Sequence, residues 1–190
     1  MGTLDWWWSP HPAWEPGENW DANVPVVRYE TETAVVLFDP FLPPQGAFDP
    51  HGKPVNVLLT EPGHVRGTAD FVERYGASVW VPPRAVWRRG PDPRTTTDVP
   101  DGVEVCELDG VDERVAFFIP EHRTLVSGDV ISSTGGTLHV FVDDGDAERL
   151  LPALERLADL PIERLIFPHG GIVDDGAAQI RAAVAASRPG

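Results

Sequence analysis

Two side chains that can bind a metal ion or transfer a proton lie in the loop after one short apolar run. Residues 55–59 read VNVLL, which has the length and composition of a buried β-strand. The loop at 60–67 carries Glu61 and His64, and residues 69–75 then predict a helix. Polar groups between the carboxyl end of a strand and a helix are where α/β proteins usually place their chemistry. This loop is therefore a candidate active site.

Four stretches of the chain together resemble the metallo-β-lactamase fold superfamily. The first is the frame just described, LLT followed by the loop and ADFVERYGASVWVP. The others are VVLFDP at 35–40, the predicted hairpin VAFFIPEHRTLVSGDVI at 115–131 and Pro-His-Gly-Gly at 168–171. The resemblance implies an α/β (α+β) fold, a four-layer αββα metallo-β-lactamase-like sandwich.

The same resemblance implies where a metal ion would bind. A complete superfamily site uses five histidines and two aspartates around two ions, but here Glu-Pro-Gly-His-Val-Arg at 61–66 replaces the His-x-His-x-Asp-His motif. His64, Asp129 and His169 match the ligands of the second metal, and Glu61 takes the position of the first histidine. One Zn, Fe or Mn ion fits such a set, whereas a dinuclear site is not expected. His64 and Asp129 are the candidate catalytic residues.

Two functions stay open at this point. The chain is either a mononuclear metal-dependent hydrolase of a small ester, lactone or amide, or a metal-free, non-catalytic member that binds a ligand or a protein. In the metal-free case, we expect Arg66 or His64 within hydrogen-bond reach of Asp129 or Glu61, because a buried carboxylate needs a cation or several donors. Asp39 is either a partner of the metal ligands or a turn residue.

A basic cluster surrounds Trp87 between residues 84 and 94. It is either a solvated surface loop or a recognition site for an anionic group of the substrate, since arginine binds carboxylate and phosphate bidentately. The candidate substrate-binding residues are Arg66, Trp87, Arg88 and Asp39.

Composition limits the class of protein further. The chain has 190 residues, enough for one domain at 24–190 after a Trp/Pro-rich N-terminal arm at 1–23. The formal net charge of −15 argues against nucleic-acid and anionic-membrane partners. The chain lacks a long apolar run and a signal-peptide pattern, which predicts a cytoplasmic protein. The aromatic arm predicts a homodimer with the arm at or near its interface.

Overall fold

The structure is a computed structural model that describes residues 1–11, 23–43, 48–87, 92–109, 111, 113–134, 136–141, 147–168 and 171–188. Its strands and helices follow in chain order. They are β1 (Thr3–Pro10), β2 (Asn23–Glu30), β3 (Val35–Phe38), β4 (Val55–Leu58), α1 (Thr68–Tyr75), β5 (Ser78–Val81), β6 (Arg94–Thr95), β7 (Glu104–Glu107), β8 (Val115–Ile119), β9 (Thr124–Val126), β10 (Ile131–Thr134), β11 (Thr137–Val140), α2 (Ala147–Leu157), β12 (Arg164–Phe167), β13 (Gly171–Asp174) and α3 (Gly176–Ala186).

Two β-sheets pack face to face, and helices cover the outer face of each, so the predicted four-layer αββα sandwich is confirmed. Within the described residues, the first sheet has the order β1-β2-β3-β4-β5-β6, with parallel pairing from β3 to β6. The second has the order β13-β12-β9-β8-β7, in which β9 and β12 run parallel. Strands β10 and β11 form a separate antiparallel pair.

The central strands are apolar on both faces because each sheet is covered on both sides. In β8, Phe117 points into the core between the sheets, where it packs on Phe38 of β3 with ring centroids 5.4 Å apart. Its neighbour Phe118 belongs to the core beneath α2 and α3. On the other outer face, Phe71 of α1 is fully buried against the first sheet. This alternation decides which core each side chain of a strand enters.

The N-terminal segment contributes the edge strand of the first sheet. Strand β1 pairs antiparallel with β2 along its whole length. Trp7 packs on the core beneath α1, whereas Trp6 and Trp8 stay 37% and 43% exposed. Residues 12–22 lie outside the described residues, and the expected homodimer stays a prediction.

The last helix begins later than its sequence pattern indicates. Residues 174–187 read DDGAAQIRAAVAAS, which predicts a helix capped by Asp174 or Asp175. This prediction is wrong at its start, because Asp174 ends strand β13 and α3 begins at Gly176. Asp175 is left-handed (φ 56°) and its side chain makes no capping hydrogen bond. Instead, main-chain oxygens of the segment before β12 accept the first N–H groups of α3, which removes the need for a side-chain cap. None of the described helices is long and apolar enough to cross a lipid bilayer.

Glu30 at the end of β2 predicts a pH-dependent contribution to stability. Lys53 Nζ lies 2.7 Å from Glu30 Oε1, and hydrogen bonds from Lys53, His51 and Arg28 lower the pKa of Glu30 to about 2, although burial works against this. Because the folded-state pKa lies below the ordinary value of 4.5, the stabilisation is present above pH 4.5 and is lost as the pH falls towards 2.

We therefore expect Glu30→Gln to lower the free energy of unfolding by about 1 kcal/mol at pH 7, after allowance for solvent screening. Near pH 2.5 the difference from the wild type should largely vanish. Urea unfolding at the two pH values measures it, and Glu32→Gln, an exposed residue of the same turn, controls for the change in net charge. An equal loss in both variants would contradict the role of the Glu30 contacts.

Candidate metal centre

Asp39 is the centre of a buried hydrogen-bond network. It follows β3, is 4% exposed and has a left-handed backbone (φ 45°). Its Oδ1 accepts the Thr60 N–H at 2.9 Å, and its Oδ2 accepts the Thr60 hydroxyl at 2.6 Å. The Nδ1 of His64 lies 2.9 Å from the same Oδ2. Asp39 thus holds the proton of His64 on Nδ1 and turns Nε2 to the opposite side.

On that opposite side, Nε2 of His64 faces two carboxylates. It lies 3.2 Å from Asp129 Oδ2 and 3.4 Å from Glu61 Oε1. Each of the three residues offers one donor atom, and these atoms all lie within 4.8 Å of one another. The contact expected in the metal-free case, from Arg66 or His64 to Asp129 or Glu61, is therefore present for His64. We call Glu61, His64 and Asp129 the acidic triad.

The acidic triad needs a cation or an additional proton at its centre. When Nδ1 of His64 carries the only ring proton, the lone pair on Nε2 points at two carboxylate oxygens, which repel it. A metal ion, a second ring proton or a proton on Glu61 removes this repulsion. Burial disfavours the charged ring, but attraction to Asp39 and the hydrogen bonds to Asp129 and Asp39 outweigh it and raise the pKa of His64 to about 9. Burial also raises the pKa of Glu61.

Main-chain contacts hold the acidic triad together across the two sheets. Gly128 has a left-handed backbone (φ 61°), and a Cβ there would lie 2.8 Å from Thr60 Cβ and Oγ1. Only glycine allows this close approach, which brings Asp129 to the loop after β4. The Val115 N–H donates to the main-chain oxygen of Thr60 at 2.9 Å, and this hydrogen bond joins the start of β8 to the same loop.

Arg66 binds the main chain next to the acidic triad. Its Nη1 donates to the main-chain oxygen of Asp39 at 3.0 Å, and its guanidinium lies over the Phe41 ring, 5.5 Å from the centroid. Arg66 is itself left-handed (φ 38°), so two strained non-glycine residues bond to each other at this site. Such strain is concentrated at functional sites. Arg66 therefore supports the backbone of Asp39.

Arg114 is a site residue that the sequence did not indicate. Its Nε lies 2.8 Å from Oε2 of Glu61, so it holds the carboxylate oxygen that faces away from His64. Arg114 directly precedes β8, and the contact arises because β8 is joined to the Thr60 loop. Only the contact between β8 and the Thr60 loop could have indicated Arg114, and that contact has no local sequence pattern.

The structure therefore brings together Glu61, His64, Asp129, Asp39 and Arg66. Their roles as metal-binding, catalytic or substrate-binding residues stay predictions. Two further candidates, His169 and Arg88, lie outside the described residues. Trp87 is half-buried and packs on the apolar cluster between α1 and the first sheet.

Comparison with solved structures identifies the fold. A metallo-β-lactamase from Pontibacter korlensis has a TM-score of 0.66 at 16% identity, covering 98% of this chain and 95% of that one. A metallo-β-lactamase family protein from Thermus thermophilus has a TM-score of 0.64 at 19% identity, covering 96% and 78%. The chemotaxis sensor ODP, in a peroxy diiron form, has a TM-score of 0.66 at 15% identity, covering 96% and 90%.

The chain thus has the metallo-β-lactamase fold, as the sequence resemblance implied. No protein-family profile matches the sequence, and no curated protein matches it. Because the identities are below 25%, the likeness defines the fold, and function has to be argued from the site.

Proposed function

We propose that the protein is a mononuclear metal-dependent hydrolase of a small molecule, with one ion held by Glu61, His64 and Asp129. The observation that carries the proposal is the clustering of one imidazole nitrogen and two carboxylate oxygens within 4.8 Å of one another. Such a donor set suits Zn²⁺, Fe²⁺ or Mn²⁺. His169 is a further candidate ligand from the sequence and lies outside the described residues.

The spacing of the donor atoms fits a shared ion. Metal–ligand distances near 2.0–2.2 Å put the donors of a tetrahedral site about 3.3–3.6 Å apart. The observed separations from His64 Nε2 are 3.2 Å to Asp129 and 3.4 Å to Glu61. Asp39 supplies the carboxylate–histidine contact that orients a metal-binding imidazole. These residues therefore fit a metal ion.

The chain's own residues prepare the site for hydrolysis. Asp39 fixes the His64 ring, and Arg114 fixes the Glu61 carboxylate. The Glu61 and Asp129 side chains are 14% and 18% exposed, so water and a substrate can reach them. A bound ion would supply Lewis acidity and lower the pKa of a bound water.

Metal-dependent hydrolysis tests this proposal. Chelated protein is reloaded with Zn²⁺, Fe²⁺ or Mn²⁺ and assayed on chromogenic esters, lactones and amides. We expect hydrolysis only in the reloaded protein and a loss of at least about 100-fold in Asp129→Asn, because that change removes one ligand charge. Asp70→Asn, on α1 with a half-exposed side chain, is the matched control. Hydrolysis that survives chelation and Asp129→Asn unchanged would refute the proposal.

A second candidate is a metal-free binding module, and the arginines favour it. The positive charge of Arg66 interacts with the carboxylates of Asp39, Glu61 and Asp129, and Arg114 pairs with Glu61. With a doubly protonated His64, three cations match three anions without a metal.

Thermal melting with and without chelator separates the two candidates. Chelation lowers the melting temperature only if the folded protein binds an ion. A melting temperature that changes neither on chelation nor on addition of Zn²⁺, Fe²⁺ or Mn²⁺ supports the metal-free module.

A further inference from the structure

A cavity of about 320 Å³ adjoins the candidate metal centre and is lined by three arginines. Arg84 reaches it from the segment after β5, Arg114 from the residue before β8, and Arg149 from the first turn of α2. A volume near 300 Å³ is at the small end of the range for small-molecule sites. The three arginines come from separate parts of the chain, so only the folded protein brings them together.

The cavity and the surroundings of the acidic triad have residues in common. Arg114 lines the cavity and places Nε 2.8 Å from Oε2 of Glu61. Val115 lines it too, and its N–H donates to the oxygen of Thr60, the residue before Glu61. Arg114 therefore belongs both to the wall of the cavity and to the surroundings of Glu61.

The lining of the cavity is rich in arginine. The protein as a whole carries −15, yet three guanidiniums line this cavity beside the carboxylates of Glu107 and Asp109. Asp109 also pairs with Arg156 outside the cavity. Arginine binds carboxylates in a planar, bidentate geometry. The arginines therefore suit an anionic group of a ligand.

The remaining lining is apolar. Leu108, Val111 and Val115 are buried residues that line the cavity. A ligand with a short aliphatic or aromatic body would bury that body here and present its charge to the arginines. The lining therefore suits an amphipathic molecule rather than a small inorganic anion.

We propose that this cavity binds the carboxylate of a small amphipathic substrate and so selects carboxylate-bearing molecules for the acidic triad. The reaction rests on the hydrolase proposed above, whereas binding in the cavity does not need the metal. Direct binding to metal-free protein therefore tests the inference separately.

The experiment uses calorimetric titration of the full chain, stripped of metal with EDTA and dialysed free of it. The probes are 4-methylpentanoate, its neutral amide 4-methylpentanamide, and inorganic phosphate. We expect the carboxylate to bind at least about tenfold more tightly than the amide, because the guanidinium bonds are charge-assisted, and more tightly than phosphate. Arg84→Gln and Arg149→Gln should each weaken carboxylate binding about three- to tenfold.

Arg74→Gln removes an exposed arginine that pairs with Asp70 on α1, and it should leave the affinity unchanged. Equal affinity for acid and amide, tighter binding of phosphate, or no effect of Arg84→Gln and Arg149→Gln would overturn the inference. Failure of metal binding in the separate chelation experiment would refute the hydrolase and leave the carboxylate affinity intact, so the two failures are distinguishable.

Discussion

Asp39→Ala is expected to lower the free energy of unfolding by about 3–5 kcal/mol. The change leaves the Thr60 N–H, the Thr60 hydroxyl and His64 Nδ1 without their buried acceptor. Each of these three donors is then buried without a hydrogen bond, and His64 also loses the carboxylate that balances its charge. Urea unfolding in the presence of chelator measures the effect without a contribution from bound metal.

Two controls accompany this measurement. Asp70→Ala removes an exposed aspartate whose partner is Arg74 on the same helix, and it should cost less than about 0.5 kcal/mol. Asp39→Asn keeps an acceptor oxygen and should cost less than Asp39→Ala. A loss below about 1 kcal/mol for Asp39→Ala would show that the buried network does not hold the loop after β4.

His64→Ala is expected to weaken metal binding by at least about 100-fold, equivalent to about 2.8 kcal/mol. The reason is that His64 supplies the nitrogen donor of the acidic triad and lies within 3.4 Å of both carboxylates. Isothermal titration of the chelated protein with Zn²⁺ measures the affinity. Circular dichroism spectra with chelator should confirm that the variant is folded.

The matched control is His51→Ala, which removes an imidazole that is 57% exposed in the turn before β4. Its metal affinity should stay within about threefold of the wild type. If His64→Ala also binds Zn²⁺ within about threefold of the wild type, the ion is held elsewhere and the proposed site is wrong.

Much of the fold could be predicted because its central elements have local signals. The apolar runs of β3, β4 and β8 and the helix α1 with left-handed Gly76 at its end agree with the sequence analysis. Strand β13 was missed because Gly171–Asp174 is short and its last residue begins an Asp-Asp pair typical of helix caps. Its strand conformation comes from pairing with β12, a tertiary effect.

The candidate site likewise contains residues with a local sequence signal and one residue without such a signal. His64, Glu61 and Asp129 could be chosen from the sequence because each lies at a recognisable strand end or in the Gly-Asp turn. Arg114 could not, because its contact with Glu61 depends on how β8 meets the loop after β4. Long-range register of this kind leaves no periodic signal in the chain.

The metal content of protein purified without chelator tests the central claim most directly. Inductively coupled plasma mass spectrometry should find about one Zn, Fe or Mn ion per wild-type chain and less than about 0.1 in His64→Ala, as expected of a site held by few ligands. Absence of transition metal from the wild type, or an equal content in the two proteins, would contradict a metal ion at Glu61, His64 and Asp129.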